Sequence, residues 1–283
     1  MGTLPINISG EHVVAITLSV IAAFVVIFFN RLILIGRTII KRIRLRMALK
    51  KYYKAISNDC DTLIVIGENK GFSLREVFVP LDLAWSNLAT ETNETQTRSG
   101  SLPPENSVIL GAPGAGKSTL VKKWILDAIA AKEQFPIFVR LKDYNGLVSL
   151  ENYIADHQLR KHGILDPLEF LLNKLRDGKC FCVLDGLDEV RPQQKPAVCA
   201  QINAFHGKYF NDTKASAGWM HSRHQFIVSC RKEAYRDIPI NVTSIWELRP
   251  LNDDQIKRFV SKWPRDFPRG KSEDTFLRGL HAV

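Results

Sequence analysis

Gly111-Ala112-Pro113-Gly114-Ala115-Gly116-Lys117-Ser118 has the spacing G-x-x-x-x-G-K-[ST], and each residue type in it suits the holding of phosphate. Phosphate oxygens are met by backbone N–H groups, so the chain must come close with little side chain in the way. Gly111, Gly114, Ala115 and Gly116 permit that approach. Lys117 brings a mobile positive charge to the β- and γ-phosphates, and Ser118 offers a hydroxyl to Mg²⁺. The apolar run Val108-Ile109-Leu110 leads in as a buried strand would, and Ser118 to Ala131 follows without Pro or Gly, as a helix would. A helix starting there aims its positive end at the same phosphates. The pattern predicts binding of a nucleoside triphosphate.

A second cluster supplies carboxylates. Phe181-Cys182-Val183-Leu184 is an apolar strand ending in Asp185-Gly186-Leu187-Asp188-Glu189. A phosphate-binding loop needs an acid at the C-terminal end of a nearby strand to hold Mg²⁺, and Asp185 has that position. A further acid must orient the attacking water, with Asp188 and Glu189 as the candidates.

These groups must be carried by a scaffold, and apolar runs recur at the spacing of a parallel sheet: 137–139, 181–184, 226–228 and 245–248, with helical stretches over 150–176 and 192–210. The fold class expected is α/β, a parallel sheet with helices on both faces. Residues 57–87 read as a small connector with short strands at Thr62–Gly67 and Glu76–Leu81. Thr90 to Asn106 reads as a linker. Near the end, Asn252 and Gln255 form a capping-box pattern, which predicts a helix from Asp253 to about Trp263. Pro264, Pro268 and Gly270 break the helical pattern beyond it.

The apolar residues, 45% of the 283, are unevenly spread. Val13–Phe29 carries no charge, and after Asn30 and Arg31 the apolar character resumes through Ile35, which reads as a transmembrane helix at the short end of the usual length. No Lys or Arg precedes it and no small-residue cleavage site comes after it, which argues against a signal peptide. The net charge of +10 is also local: Arg31, Arg37, Lys41, Arg42, Arg44, Arg46, Lys50, Lys51 and Lys54 come without an acidic residue between them, leaving about +1 for the rest. That bias predicts a short N-terminus outside a cell membrane, the remainder in the cytoplasm, and the basic run against anionic lipid headgroups. Without an aromatic stacking platform, the same run argues against nucleic acid. The five cysteines are scattered, with neither zinc nor disulfide spacing.

Leu184-Asp185-Gly186-Leu187-Asp188-Glu189-Val190 resembles the extended Walker B signature of NACHT-domain proteins, a branch of the signal-transduction NTPases with numerous domains (STAND). Gly111 through Ser118, continued by Thr119-Leu120, resembles the family's Walker A form. Phe135–Leu141 is similar to its second strand, and Phe226–Arg231 to its sensor strand, with Cys230 a mild departure. The resemblance implies a P-loop NTPase with nucleotide held by Gly111, Ala112, Pro113, Gly114, Ala115, Gly116, Lys117, Ser118 and Thr119. Mg²⁺ would be held by Ser118 and Asp185. Asp188 or Glu189 would polarise the water, and Arg231 would sense the γ-phosphate.

The organisation expected is a short extracytoplasmic segment at 1–12, a transmembrane helix at 13–35, and a basic juxtamembrane helix at 36–56. A connector and linker at 57–106, the NTPase domain at 107–263 and an incomplete helical segment at 264–283 complete it. Family members carry helical and winged-helix domains after the core, so the chain reads as a truncated product, a fragment or a minimal version. The implied activity is slow Mg²⁺-dependent hydrolysis of ATP, or GTP, that switches a signalling or defence assembly. A membrane ATPase of the AAA+ or KAP type and a scaffold without effective hydrolysis are the alternatives. A homo-oligomer through the NTPase domain stays open, and the effector is unknown.

Overall fold

The computed structural model describes residues 10–63, 71–86, 97–210, 224–235, 240–242 and 244–263. The chain divides into two compact units, Met1–Lys50 and Lys51–Val283. Helix α1 (Gly10–Asp61) is a single run of 52 residues without a break.

Among the described residues, no helix is long and apolar enough to cross a membrane. This corrects the transmembrane helix expected at 13–35, and with it the single-pass localisation in a cell membrane and the juxtamembrane standing of 36–56. The physical reason is length. The uncharged run Val13–Phe29, at 1.5 Å per residue, covers about 26 Å against a hydrocarbon core of about 30 Å, and beyond it Arg31 and the basic run load the helix with charge.

In the second unit, β1 (Thr62–Leu63) and β2 (Phe72–Ser73) form a small antiparallel pair. Only Thr62 and Leu63 of the strand expected at 62–67 take part, and 64–67 lie outside the described residues. The run 76–81, expected as a strand, is instead the end of a single helical turn, α2 (Leu74–Val77), and then coil. The main sheet has seven strands: β3 (Asp82–Trp85), β4 (Thr97–Ser99), β5 (Ser107–Gly111), β6 (Phe135–Arg140), β7 (Cys180–Asp185), β8 (Gln225–Arg231) and β9 (Ser244–Leu248). Their order is β4-β3-β9-β5-β8-β7-β6.

The five strands from β9 to β6 are parallel, as expected, but β3 and β4 extend the sheet antiparallel at one end. Thus part of the stretch read as linker, Thr97–Ser99, is an edge strand, while 87–96 lie outside the described residues. Strand β5 is buried at every residue and β7 at all but its last, so both faces of the central sheet are covered, which is why these runs lack alternation.

Helix α3 (Lys117–Ala131) follows β5. Between β6 and β7 run α4 (Leu150–Ile154), a π turn at Ala155–Leu159, a 3₁₀ turn at Arg160–His162, and α5 (Pro167–Arg176). Helix α6 (Lys195–Tyr209) precedes β8, α7 (Lys232–Tyr235) comes directly after it, and α8 (Asp253–Lys262) is last. The segments 1–9 and 264–283 lie outside the described residues, and the expectations for them with them.

Two local devices hold this frame. The capping box at α8 forms as the sequence predicts: Asn252 Oδ1 accepts from the Gln255 N–H at 2.9 Å, and Gln255 Oε1 accepts from the Asn252 N–H at 2.9 Å. The Gln255 amide also donates to the Pro80 carbonyl at 2.9 Å, tying the helix to the chain that enters β3. At the other edge of the sheet, Tyr52 is fully buried, stacks on Phe135 at 5.3 Å between ring centroids, and donates its hydroxyl to the Pro136 carbonyl at 2.9 Å. The last turns of α1 thereby cover β6, whose outer carbonyls would otherwise invite another strand.

Candidate functional site

The phosphate-binding loop forms between β5 and α3, as its spacing predicts. Gly114 has φ +74° and Gly116 φ +93°, a left-handed backbone that L side chains rarely adopt. A Cβ at Gly116 would lie 3.0 Å from Leu81 Cδ1, so glycine also lets the coil before β3 close onto the loop. The first N–H groups of α3 have no partner within the helix, and an N-terminus of this kind suits an anion.

Lys117 Nζ donates to the Gly111 and Ala112 carbonyls at 2.8 Å each. Burial pushes the pKa of this ammonium down, with Asp188 opposing that shift and Arg231 adding to it. Ala112, Pro113, Gly114 and Ser118 are exposed, and Thr119 is half-buried in the first turn of α3.

Asp185 ends β7, and β8 lies between β7 and β5. This order brings Asp185 to the mouth of the loop across 67 residues of chain: Ser118 Oγ donates to Asp185 Oδ1 at 3.2 Å. A hydroxyl and a carboxylate meeting on a helix N-terminus are hard oxygen donors of the kind Mg²⁺ takes together with phosphate and water. No cluster of three or more His, Cys, Asp or Glu side chains suited to a metal occurs among the described residues, so these residues offer no all-protein cage.

The turn after Asp185 divides the two remaining acids. Gly186 takes φ +80° and leads into a 3₁₀ turn, Leu187–Glu189. Asp188 turns inward, its side chain only 8% exposed, and engages the end of β8 twice. Its Oδ2 pairs with Arg231 Nε at 2.8 Å, and its Oδ1 accepts from the Arg231 backbone N–H at 3.1 Å. Glu189 is exposed, and its carboxylate makes no hydrogen bond or ion pair among the described residues. The structure therefore joins Ser118 to Asp185 and Asp188 to Arg231, sets Lys117 within electrostatic reach of Asp185, Asp188 and Arg231, and leaves Glu189 without a partner among the described residues.

Ser229 is a member of the site that sequence reasoning did not single out. Its hydroxyl donates to Asp185 Oδ1 and accepts from the Gly186 N–H at 2.9 Å. The available signals were the Ser-x-Arg ending of the sensor-like strand, Ser229-Cys230-Arg231, and the position of Ser229 two residues before Arg231, on the same side of β8.

Comparison with curated proteins gives no match. The NACHT domain model matches residues 105–266, from the start of β5 past the end of α8. That span includes every residue of the site and more than half of the chain. With the loop, the five parallel strands and the acidic turn all inside it, the chain belongs to the NACHT family, P-loop NTPases of the STAND kind that bind nucleotide, typically with Mg²⁺.

Proposed function

We propose that this chain binds ATP with Mg²⁺ and hydrolyses it slowly, the bound nucleotide acting as a switch for a signalling or defence assembly. The observation that carries this reading is the contact of Ser118 with Asp185 at the mouth of the loop, next to a glutamate, Glu189, with no partner among the described residues. Phosphates would rest on N–H groups of the loop from Gly114 to Ser118, that of Ala115 first leaving the Ala112 carbonyl, and on the positive end of α3. Lys117 would exchange the Gly111 and Ala112 carbonyls for β- and γ-phosphate oxygens. Ser118 and Asp185 would hold the metal, which neutralises charge developing on the transferred phosphoryl group.

Glu189 would accept a hydrogen bond from the attacking water and orient it, because Asp188 is already committed to Arg231. Arg231 would meet the γ-phosphate only after leaving Asp188. Two groups that serve the triphosphate thus start out occupied elsewhere, which supports a switch more than a motor.

The test uses the full chain with ATP and GTP, each with Mg²⁺. Lys117→Ala should lose binding of both. Glu189→Gln should bind as the parent does but lose hydrolysis, and the parent should turn over slowly, retaining nucleotide between turnovers. Binding by Lys117→Ala equal to the parent sinks the reading. Undiminished hydrolysis by Glu189→Gln moves the base to Asp188, and fast continuous turnover by the parent favours a motor.

A further inference from the structure

Ser229 lies inside the sheet, 1% exposed, and its hydroxyl is used in both directions. It donates to Asp185 Oδ1 and accepts from the backbone N–H of Gly186, the residue that begins the acidic turn. Asp185 Oδ1 thus receives two hydroxyl donors, Ser229 from the neighbouring strand and Ser118 from the loop. Its Oδ2 is left without a hydrogen bond among the described residues. A carboxylate on a strand end can rotate about two side-chain bonds, and this pair of donors removes that freedom while leaving one oxygen unengaged.

The strand bearing Ser229 also bears Arg231. Residues two apart on a strand project to one side, and here both reach across to the acidic turn: Ser229 to Asp185 and Gly186, Arg231 to Asp188. Strand β8 is thereby tied to the turn at the metal carboxylate and again at the acid that holds the arginine. A shift of Arg231 towards a phosphate pulls on the same strand end that orients Asp185.

We propose that Ser229 is a positioning residue for the metal: its hydroxyl fixes Asp185 in the rotamer that receives Mg²⁺ and couples that carboxylate to Arg231 through β8. The proposal rests on the reading of the site as a nucleotide-binding one. It assigns to β8 a role in setting metal affinity, beyond contact with phosphate.

The experiment measures binding of a fluorescent triphosphate to the full chain as a function of free Mg²⁺, and again in chelator without metal. Ser229→Ala should raise the half-saturating Mg²⁺ concentration by about tenfold, the lower end of what loss of a residue orienting a metal ligand costs. Its affinity for metal-free triphosphate should equal that of the parent, because the phosphate loop is untouched. Ser229→Thr keeps the hydroxyl and should restore the parent's Mg²⁺ dependence. Should alanine loosen the strand, threonine and valine at this position, alike in shape and different only in the hydroxyl, read the same shift.

An unshifted Mg²⁺ dependence in Ser229→Ala and Ser229→Val overturns the positioning role. So does an equal loss of metal-free binding, which would make Ser229 a support of the fold alone. A parent chain that binds triphosphate with no dependence on Mg²⁺ overturns the underlying reading as well, so the two failures are distinguishable.

Discussion

Replacing Asp188 by asparagine should tighten binding of a triphosphate and leave that of a diphosphate unchanged. In the present geometry Arg231 is held by Asp188 through Nε–Oδ2 at 2.8 Å and through its own backbone N–H at 3.1 Å. Asparagine keeps an acceptor for the N–H and removes only the charge that holds the guanidinium. Two unit charges about 4 Å apart attract by about 4 kcal/mol at an effective dielectric constant near 20. The Arg231 side chain is 49% exposed, though, so solvent screening and restored hydration cancel most of that, and exposed pairs come out at about 0.2–1 kcal/mol.

The near-complete burial of Asp188 moves the value to the upper end, about 1 kcal/mol, or roughly fivefold in affinity. Isothermal titration with a non-hydrolysable triphosphate and with the diphosphate, both with Mg²⁺, reads the effect. In an Arg231→Ala background the gain should vanish, and in the parent background it should shrink as salt rises. Equal tightening for both nucleotides, or a gain that survives Arg231→Ala, would mean that Asp188 acts by simple repulsion and that Arg231 is not a sensor.

The edge-covering tyrosine offers a stability test: Tyr52→Phe should cost about 1 kcal/mol for the lost hydrogen bond to Pro136, and Tyr52→Ala about 3–5 kcal/mol for the lost packing on Phe135. Urea unfolding checks it, and equal midpoints for the parent and Tyr52→Ala would refute the account of the covered edge. Alkaline pH should weaken the fold, because burial pushes the thiols of Cys60, Cys180 and Cys230 from their ordinary 9.0 up to about 12. The unfolded chain releases those protons first, so their contribution is intact below pH 9 and is lost progressively between 9 and about 12. A urea midpoint that stays flat or rises over that range would contradict it. Finally, the basic run Arg31–Lys54 should bind vesicles containing acidic lipid and ignore neutral ones, with about 1 kcal/mol from each basic residue near the surface. Neutralising Arg37, Lys41, Arg42, Arg44 and Arg46 should abolish sedimentation with such vesicles, and unchanged sedimentation would rule out this electrostatic role.

Contiguous residues encode part of this protein on their own. The loop from Gly111 to Ser118 specifies its own backbone, because two glycines must take positive φ and a lysine and serine must open the helix. The capping box at Asn252 and Gln255 is equally self-contained, with both partners within one helical turn. The fully apolar runs that became β5 and β7 announced a sheet covered on both faces, because a half-exposed strand would have alternated.

Whatever depends on which strands become neighbours is settled only in the folded sheet. Asp188 and Glu189 are adjacent acids in the sequence. Only the passage of β8 beside the acidic turn commits one to Arg231 and leaves the other without a partner among the described residues. Ser229 is an ordinary strand residue until that same neighbour sets its hydroxyl on Asp185, 44 residues away in the chain. The run 76–81 has the apolar content of a strand, yet the antiparallel extension of the sheet starts at Asp82, where pairing with β9 becomes available. Composition states what a segment is able to bury, and the partner that buries it is chosen by the packing of the whole sheet.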